Sequence, residues 1–203
     1  MDRQLHLISD GNFSKQHLEI MKRIHQGIDY FHIREKKKTA KEILEIMEAL
    51  ESIEFPLTKV IVNDRADIAV MKQCAGIHLA YHSPPISLVK DCFSALVTGK
   101  SVHSLPEAEQ AQREGANYLL YGHIYTSSSK PNQQPRGLTD LRKITNVLSV
   151  PVYAIGGITP ERTKEVIAAG VSGIAVMSGV WKADNPVQTV EAYRRVLDTW
   201  EGG

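Results

Sequence analysis

Residues 151–180 read PVYAIGGITPERTKEVIAAGVSGIAVMSGV, and they indicate the fold more clearly than any other segment of the chain. It opens with an apolar run over 152–155 that stops at the pair Gly156-Gly157. Thr159-Pro160 then supplies an N-cap and a first-turn proline, which predict that a helix begins there. Paired glycines let the backbone approach a ligand closely, and the free N–H groups of a helix start attract an anion. The pattern therefore predicts a strand, then a turn without side chains that could bind an anion, and then a helix.

The same pattern is repeated about one strand–helix unit later. The apolar run from Ile174 to Met177 ends at Ser178-Gly179, which offers further N–H groups beside the first set. In a (β/α)8 barrel a phosphate commonly lies after strands 7 and 8. The main-chain groups expected to bind such a phosphate are those of Gly156, Gly157, Met177, Ser178 and Gly179.

Six earlier apolar runs complete a count of eight strands. Each is short and is followed by a stretch with helical apolar spacing. The runs are Leu5–Ile8, Tyr30–Arg34, Val60–Asn63, Gly76–Ala80, Ala95–Gly99 and Tyr118–Gly122. Strands that alternate with helices predict parallel βαβ units, and eight such units close into a barrel. We predict an α/β fold, a (β/α)8 TIM barrel, with residues 1–203 as a single domain.

A doubly wound open sheet is the main alternative fold. Its first strand should end in a glycine-rich turn, and residues 9–11 lack that fingerprint. Two short connections into helices are also predicted. Asn63-Asp64 is expected to cap one helix directly, and Ser104 with Glu107 has the pattern of a capping box for another.

The composition excludes several classes of partner. The chain has 24 Lys and Arg residues and 23 Asp and Glu residues. The formal net charge of +1 therefore provides no strong electrostatic attraction for nucleic acid or an acidic membrane. The N-terminus lacks the apolar core of a signal peptide, and no apolar run reaches membrane-spanning length. The two cysteines, Cys74 and Cys92, show no metal-like or CxxC spacing. We expect a cytoplasmic protein without a metal site.

Alternation along the second strand directs polar side chains toward the barrel interior. Phe31 and Ile33 occupy the face that must pack on helices, so the other face carries His32, Arg34 and Lys36. The last of these lie toward the barrel mouth, the end where the carboxyl ends of the strands meet and catalytic residues gather. A charge inside a barrel is costly unless it has a partner or a ligand.

Arg34 therefore has two interpretations. In a structural role it pairs with Glu35 or Asp64, and in a functional role it binds a ligand. The third strand brings Asn63 and Asp64 to the same mouth. The Asn63 amide suits a ligand ring or carboxylate, whereas Asp64 has the helix cap as its alternative role.

His123 stands just past the end of the sixth strand, in a segment that continues as a hydroxyl-rich loop to Lys130. Histidine is the side chain whose ordinary pKa suits proton transfer near neutrality, although a lone histidine is usually structural. His103 also faces the mouth and is expected to support a catalyst. His6 and His78 lie within strands, where hydrogen-bonded positions inside the barrel are expected. No pair of histidines has the spacing of zinc ligands.

Seven segments in order resemble the thiamine phosphate synthase superfamily, which includes the synthases and the thiazole tautomerases (TenI). The segments are HIREK (32–36), VNDRADIA (62–69), GIHLA (76–80), GKSVHS (99–104), YGHIY (121–125), AIGGITP (154–160) and GIAVMSGV (173–180). Single pieces such as AIGGI occur in many phosphate-binding barrels. The ordered set covers nearly the whole chain and is specific to this superfamily.

Departures from the synthase pattern favour the tautomerase branch. Synthases carry glutamine in place of His32, a magnesium-binding aspartate in place of Ser83 and proline in place of His123. They also carry a TxTK loop where this chain has SSSK at 127–130. A Mg²⁺ ion held between Asp64 and Ser83 would lose an anionic hard ligand.

The resemblance implies an isomerase that converts an ylidene thiazole carboxylate phosphate into its aromatic tautomer without a cofactor. His123 is expected to act first as base and then as acid. The expected substrate-binding side chains are Arg34, Lys36 and Asn63, together with the glycine-rich main chain. The positions expected to support them are His32, Asp64, His103 and Lys130. The resemblance also suggests a homodimer, and the expected partner is the small phosphorylated thiazole carboxylate.

Three alternatives remain. A thiamine phosphate synthase with a modified metal site would form its product from a pyrimidine diphosphate and a thiazole phosphate with Mg²⁺. A non-catalytic regulatory protein would keep the phosphate site without needing His123. A different phosphorylated metabolite could also be isomerised, because barrels of this type host many reactions.

Overall fold

The computed structural model describes residues 3–127 and 131–200. Within these ranges eight parallel strands form a closed barrel, in which each strand pairs with its neighbours in chain order and the last pairs with the first. The strands are β1 (Gln4–Ile8), β2 (Tyr30–Ile33), β3 (Val60–Asn63), β4 (Gly76–Leu79), β5 (Val97–Val102), β6 (Tyr118–Gly122), β7 (Val152–Ile155) and β8 (Gly173–Val176). The predicted (β/α)8 fold is confirmed.

Helices alternate with the strands and cover the outside of the barrel. They are α1 (Lys15–Ile24), α2 (Ala40–Ser52), α3 (Ala66–Met71), α4 (Ile86–Cys92), α5 (Leu105–Arg113), α6 (Gly137–Val147), α7 (Pro160–Ile167), α8 (Ser178–Trp181) and α9 (Pro186–Asp198). Short 3₁₀ turns cover His25–Gly27 and Leu57–Lys59. Among the described residues no helix combines the length and the apolar character needed to cross a membrane.

The fifth strand is the one whose predicted position differs most from the structure. The prediction places it at 95–99, whereas β5 runs from Val97 to Val102 because Lys100, Ser101 and Val102 still pair with β6. Lys100 Nζ donates to Ala80 O at 2.8 Å, and Ser101 Oγ lies 2.8 Å from His78 Nε2. Polar side chains that are hydrogen-bonded in this way are compatible with a buried strand.

Side-chain alternation divides the core into two parts. Outward-facing strand residues pack against the helices, and those at most 1% exposed include Leu5, Leu7, Phe31, Ile33, Val60 and Val62. A separate cluster fills the barrel interior, formed by Ile8, Ile61, Tyr118, Leu120, Tyr153 and Ala175. Burying one large apolar side chain stabilises the fold by about 1.5–3 kcal/mol. The interior cluster fills the barrel, so ligands have to bind at its mouth.

Candidate active site

Gly156 and Gly157 form the turn after β7, and both adopt positive φ, +102° and +66°. An added Cβ would lie 2.3 Å from His123 Cβ at the first position and 2.5 Å from Thr126 O at the second. The positive φ and the close packing both require glycine. Within the described ranges the N–H groups of the two glycines donate to no acceptor. The turn thus offers two unpaired donors at the barrel mouth.

The end of β8 lies beside this turn because β7 and β8 are paired. Met177 is the N-cap of α8, and Ser178 is its first residue. An added Cβ at Gly179 would lie 2.9 Å from the Tyr193 hydroxyl, which donates to Ile158 O at 2.8 Å. Tyr193 therefore contacts both turns, because its hydroxyl group bonds Ile158 O after the glycine turn and lies beside Gly179. Within the described ranges Ser178 N and Gly179 N donate to no acceptor, so the start of α8 adds donors to those of the glycine turn.

His123 lies against the glycine turn and is only 5% exposed. The segment that follows it runs beside the end of β7, where Tyr125 N donates to Gly156 O at 2.9 Å. His123 Nε2 lies 3.2 Å from Gln133 O. A carbonyl oxygen only accepts, so the neutral ring carries its proton on Nε2 and its lone pair on Nδ1. Nδ1 is buried and has no partner within the described ranges.

Residues 131–136 fold back over His123. Arg136 N donates to His123 O at 2.9 Å, and its Nε donates to Gly122 O at 3.0 Å. This tie was missed from the sequence, because one arginine in a polar loop has neither periodicity nor a motif. Lys130, predicted to support the site, lies outside the described residues.

The second strand ends one residue earlier than predicted, at Ile33. Arg34 follows it, and Lys36 lies in a turn and is exposed to solvent. The expectation that Lys36 points into the barrel is therefore wrong, because side-chain alternation holds only while the chain stays extended. The substrate-binding role of Lys36 stays a prediction.

Arg34 is half-buried and is held by its main chain, whose N–H donates to Ser9 Oγ at 2.8 Å. Glu35 does not pair with it, because each Glu35 carboxylate oxygen lies 3.3 Å from Phe13 N as an acceptor. Across residues 3–127 and 131–200 the guanidinium makes no ion pair. The geometry thus favours a ligand role for Arg34 over the structural one. Ser9 was missed, since serine after a strand is equally common in plain turns.

Asn63 is the last residue of β3 and lies at the mouth, as predicted. Its Cα pairs in register with that of His78. The amide oxygen Oδ1 is buried and makes no hydrogen bond within the described part of the chain. An unsatisfied buried acceptor costs about 1–3 kcal/mol, so a donor from a ligand would stabilise it.

Asp64, His82 and Ser83 form a hydrogen-bonded group that we call the Asp64 cluster. Asp64 Oδ1 accepts from the Ser83 hydroxyl, and its Oδ2 lies 3.2 Å from His82 Nε2. Ser83 Oγ accepts in turn from Ala80 N at 2.6 Å. The predicted helix-cap role of Asp64 is wrong, because the N-cap of α3 is Arg65 and the φ of Asp64 is +60°. That backbone conformation differs from the extended one of a capping residue.

His103 is tied to the start of α5. Glu107 Oε2 accepts from His103 N at 2.8 Å and lies 3.3 Å from His103 Nδ1. Ser104 caps the helix by accepting from Glu107 N at 3.4 Å. The capping box is thus half formed as predicted, with the glutamate reaching one residue further back.

A chain of buried hydrogen bonds lies inside the barrel. His6 Nδ1 is 3.0 Å from His32 Nε2, and His6 Nε2 is 3.2 Å from Gln4 Oε1. The Gln4 oxygen also accepts from the Tyr153 hydroxyl. Because that oxygen only accepts, neutral His6 carries its proton on Nε2 and accepts from His32 at Nδ1. The lone pair of His32 is then on Nδ1, a buried atom with no partner in the described ranges.

The barrel histidines are neutral. Burial, reinforced by nearby His78, lowers the pKa of His6 to about 3. Burial also lowers the pKa of His78 to about 3; the Asp64 carboxylate opposes this effect, and the cations of Lys100 and Arg34 add to it. Burial lowers the pKa of His32 well below its ordinary value, and the proximity of His6 and His78 reinforces the effect because two adjacent rings cannot both take up a proton without repulsion. Burial disfavours the charged form of each ring.

Comparison with known proteins identifies the family to which this chain is similar. Residues 5–180 match the family model described as thiamine monophosphate synthase. The thiamine-phosphate synthase of Caldivirga maquilingensis is 36% identical over 169 residues, which cover 83% of this chain and 78% of that protein. The Clostridium acetobutylicum thiamine-phosphate synthase is 34% identical over 191 residues, 90% of this chain and 89% of that protein. A solved structure of thiamine phosphate pyrophosphorylase from Pyrococcus furiosus has a TM-score of 0.83 and 29% identity, and covers 97% of this chain and 96% of its own.

This chain belongs to the thiamine monophosphate synthase family, a family of enzymes. The superfamily resemblance is thus confirmed. The prediction of a thiazole tautomerase is wrong, because the relatives reported above carry the name of the synthase, which was kept as the alternative. The suggested homodimer stays a prediction.

Proposed function

We propose that this chain is a thiamine-phosphate synthase that joins a pyrimidine diphosphate to a thiazole phosphate. The thiazole nitrogen forms a C–N bond to the methylene carbon of the pyrimidine, and the C–O bond to diphosphate breaks. Diphosphate leaves with the electron pair, so no oxidant or reductant is needed. One observation carries the proposal: two adjacent turns after β7 and β8 offer unpaired N–H groups to a phosphate, in a chain whose relatives are named for this product.

The paired turns would hold the thiazole phosphate. Main-chain N–H groups at Gly156 and Gly157 and at the start of α8 suit a phosphate because they are adjacent donors without acceptors among the described residues. Anchoring the phosphate fixes the ring at the end of its short tether. Fixing one reactant in this way turns a collision of two molecules into an oriented reaction.

His123 takes a different role in this reaction from the acid–base role predicted above. The thiazole nitrogen that attacks carries no proton, so bond formation requires no general base. In the neutral form of the ring, the buried Nδ1 of His123 is an acceptor beside the phosphate turn. We assign it to ligand contact, through a donor group on the ligand.

Arg34 would bind the diphosphate, and Asn63 a donor on the pyrimidine ring. The Arg34 guanidinium has no ion-pair partner within the described ranges, and guanidinium groups bind phosphate oxygens in pairs. The unpaired Oδ1 of Asn63 would accept from a ring amino group.

Replacing Arg34 with alanine should raise the KM for the pyrimidine diphosphate by ~10–100-fold, because a hydrogen bond to a charged group contributes about 1.5–3 kcal/mol. Steady-state kinetics with the thiazole phosphate saturating measure this. Lys37→Ala is the matched control, since Lys37 is exposed in the neighbouring turn and should leave KM unchanged. Equal effects of the two variants would show that general charge, rather than Arg34, matters.

The function itself is tested by incubating the purified protein with both substrates and MgCl₂ and separating the products by chromatography. Thiamine phosphate should accumulate with time and enzyme concentration. Absence of thiamine phosphate from a folded sample would overturn the proposal.

A further inference from the structure

The superfamily resemblance implies that synthases hold magnesium between two aspartates, at the positions that Asp64 and Ser83 occupy in this chain. Here the side chains at that place provide one carboxylate, one hydroxyl and one imidazole, from Asp64, Ser83 and His82. Magnesium is a hard cation that prefers oxygen ligands in near-ideal octahedral geometry and binds proteins mainly through carboxylates. This set of donors does not fit that ion.

The hydrogen bonds of the cluster also leave little room for a cation. Ser83 directs its hydroxyl proton at the Asp64 carboxylate, and its oxygen already accepts from Ala80 N. The other carboxylate oxygen faces His82 Nε2 at 3.2 Å. A metal would have to break these bonds before it could bind. Among the described residues no three or more His, Cys, Asp or Glu side chains are grouped so that they could hold a metal ion.

A positive charge is already fixed nearby. Lys100 Nζ donates to Ala80 O at 2.8 Å, on the residue whose N–H bonds Ser83. Burial lowers the pKa of Lys100, and the negative charges of Glu114 and Asp64 oppose that effect. The ammonium group therefore neutralises part of the negative charge of Asp64, which a divalent cation would need for binding.

We infer that the Asp64 cluster of the free protein does not bind magnesium, and that it instead connects the loop after β4 to the end of β3. Ser83, which stands in place of the second aspartate, is the residue that distinguishes this cluster from a magnesium site. The inference rests on the proposed function only through the comparison with synthases.

Thermal unfolding of the substrate-free protein, titrated with millimolar MgCl₂ at constant ionic strength, tests the inference. The wild-type melting temperature should not change. Ser83→Asp creates a second carboxylate facing Asp64, so its melting temperature should rise by several degrees and saturate, as for any ligand that binds only the folded state. Ser83→Asn has a similar size without charge and should gain nothing. Adding Asp64→Asn to Ser83→Asp should abolish the gain.

Two results would overturn the inference. One is saturable magnesium stabilisation of the wild type that Asp64→Asn removes. The other is a Ser83→Asp variant that is folded by circular dichroism yet does not respond to magnesium. If that variant does not fold, the wild-type titration alone decides. Because no substrate is present, this result is independent of whether thiamine phosphate is formed.

Discussion

Acidification from about pH 7 to about pH 5 should lower the free energy of unfolding by about 6 kcal/mol, through the three buried histidines of the barrel. Each has a folded pKa depressed below its ordinary value of 6.5. The unfolded chain therefore binds protons as the pH falls below 6.5, whereas the folded chain does not. The contribution of the three neutral rings to the free energy of unfolding is therefore present above that pH and is lost below it. The loss is about 2 kcal/mol per histidine at pH ~5. Urea denaturation at a series of pH values measures the loss.

His32→Gln should remove about a third of this pH dependence, because it removes one of the three titrating rings. Comparing the difference between two pH values cancels any constant cost of the substitution. Tyr153→Phe is the matched control, since it removes a hydrogen bond of the same chain, and the pKa of Tyr153 is raised to about 12, mainly by burial. The control should change stability equally at both pH values. Unfolding free energies that do not fall with pH would mean that the rings accept protons within the fold.

Gly157→Ala should weaken binding of thiazole phosphate by ~10²-fold, the size expected for losing a hydrogen bond to a charged group. The added Cβ would lie 2.5 Å from Thr126 O and 2.7 Å from Tyr125 O. Either the turn or the 125–126 segment must move, and the N–H groups of the turn then no longer point at the phosphate. Isothermal calorimetry measures the affinity.

Gly137→Ala separates this collision from backbone strain. Gly137 has a φ of +69°, close to the +66° of Gly157, but an added Cβ there meets nothing within 4 Å. The control should carry a similar strain, about 1 kcal/mol, and keep its affinity for the phosphate. Unchanged affinity in the Gly157 variant would contradict a phosphate site at this turn.

The barrel could be predicted because its evidence is local and repeated. Apolar runs of strand length, each followed by helical spacing, occur eight times, and the structure pairs all eight strands in chain order. The glycine turn at 156–157 could be predicted equally well, since paired glycines before an N-cap are typical of a turn that the backbone of a ligand site requires. Alternation correctly placed His32 inside the barrel, where it is fully buried.

The site was less readable where the chain leaves regular structure. Lys36 was assigned by extending strand alternation beyond the true end of β2. The helix cap was one of two predicted roles of Asp64, but its positive φ directs the carboxylate to the loop after β4. The partner of that carboxylate, Ser83, is 19 residues away in sequence. Contacts over such a distance depend on tertiary structure, which no local pattern specifies.

The reaction was mispredicted because differences at single positions were given more weight than the chain as a whole. His123 and Ser83 depart from the synthase pattern, yet the Caldivirga maquilingensis and Clostridium acetobutylicum relatives, which match 83% and 90% of this chain, are named synthases. One fold supports several reactions, so individual side chains show what a site can bind more directly than which reaction it performs.

Phosphorus NMR of one reaction mixture tests the proposed function most directly. The purified protein is mixed with the pyrimidine diphosphate, the thiazole phosphate and MgCl₂, and the signals of thiamine phosphate and free diphosphate are followed together. We expect both to appear at the same rate and in equal amounts, because each C–N bond formed releases one diphosphate. Diphosphate released without thiamine phosphate, or no change in either signal, would contradict the proposed function.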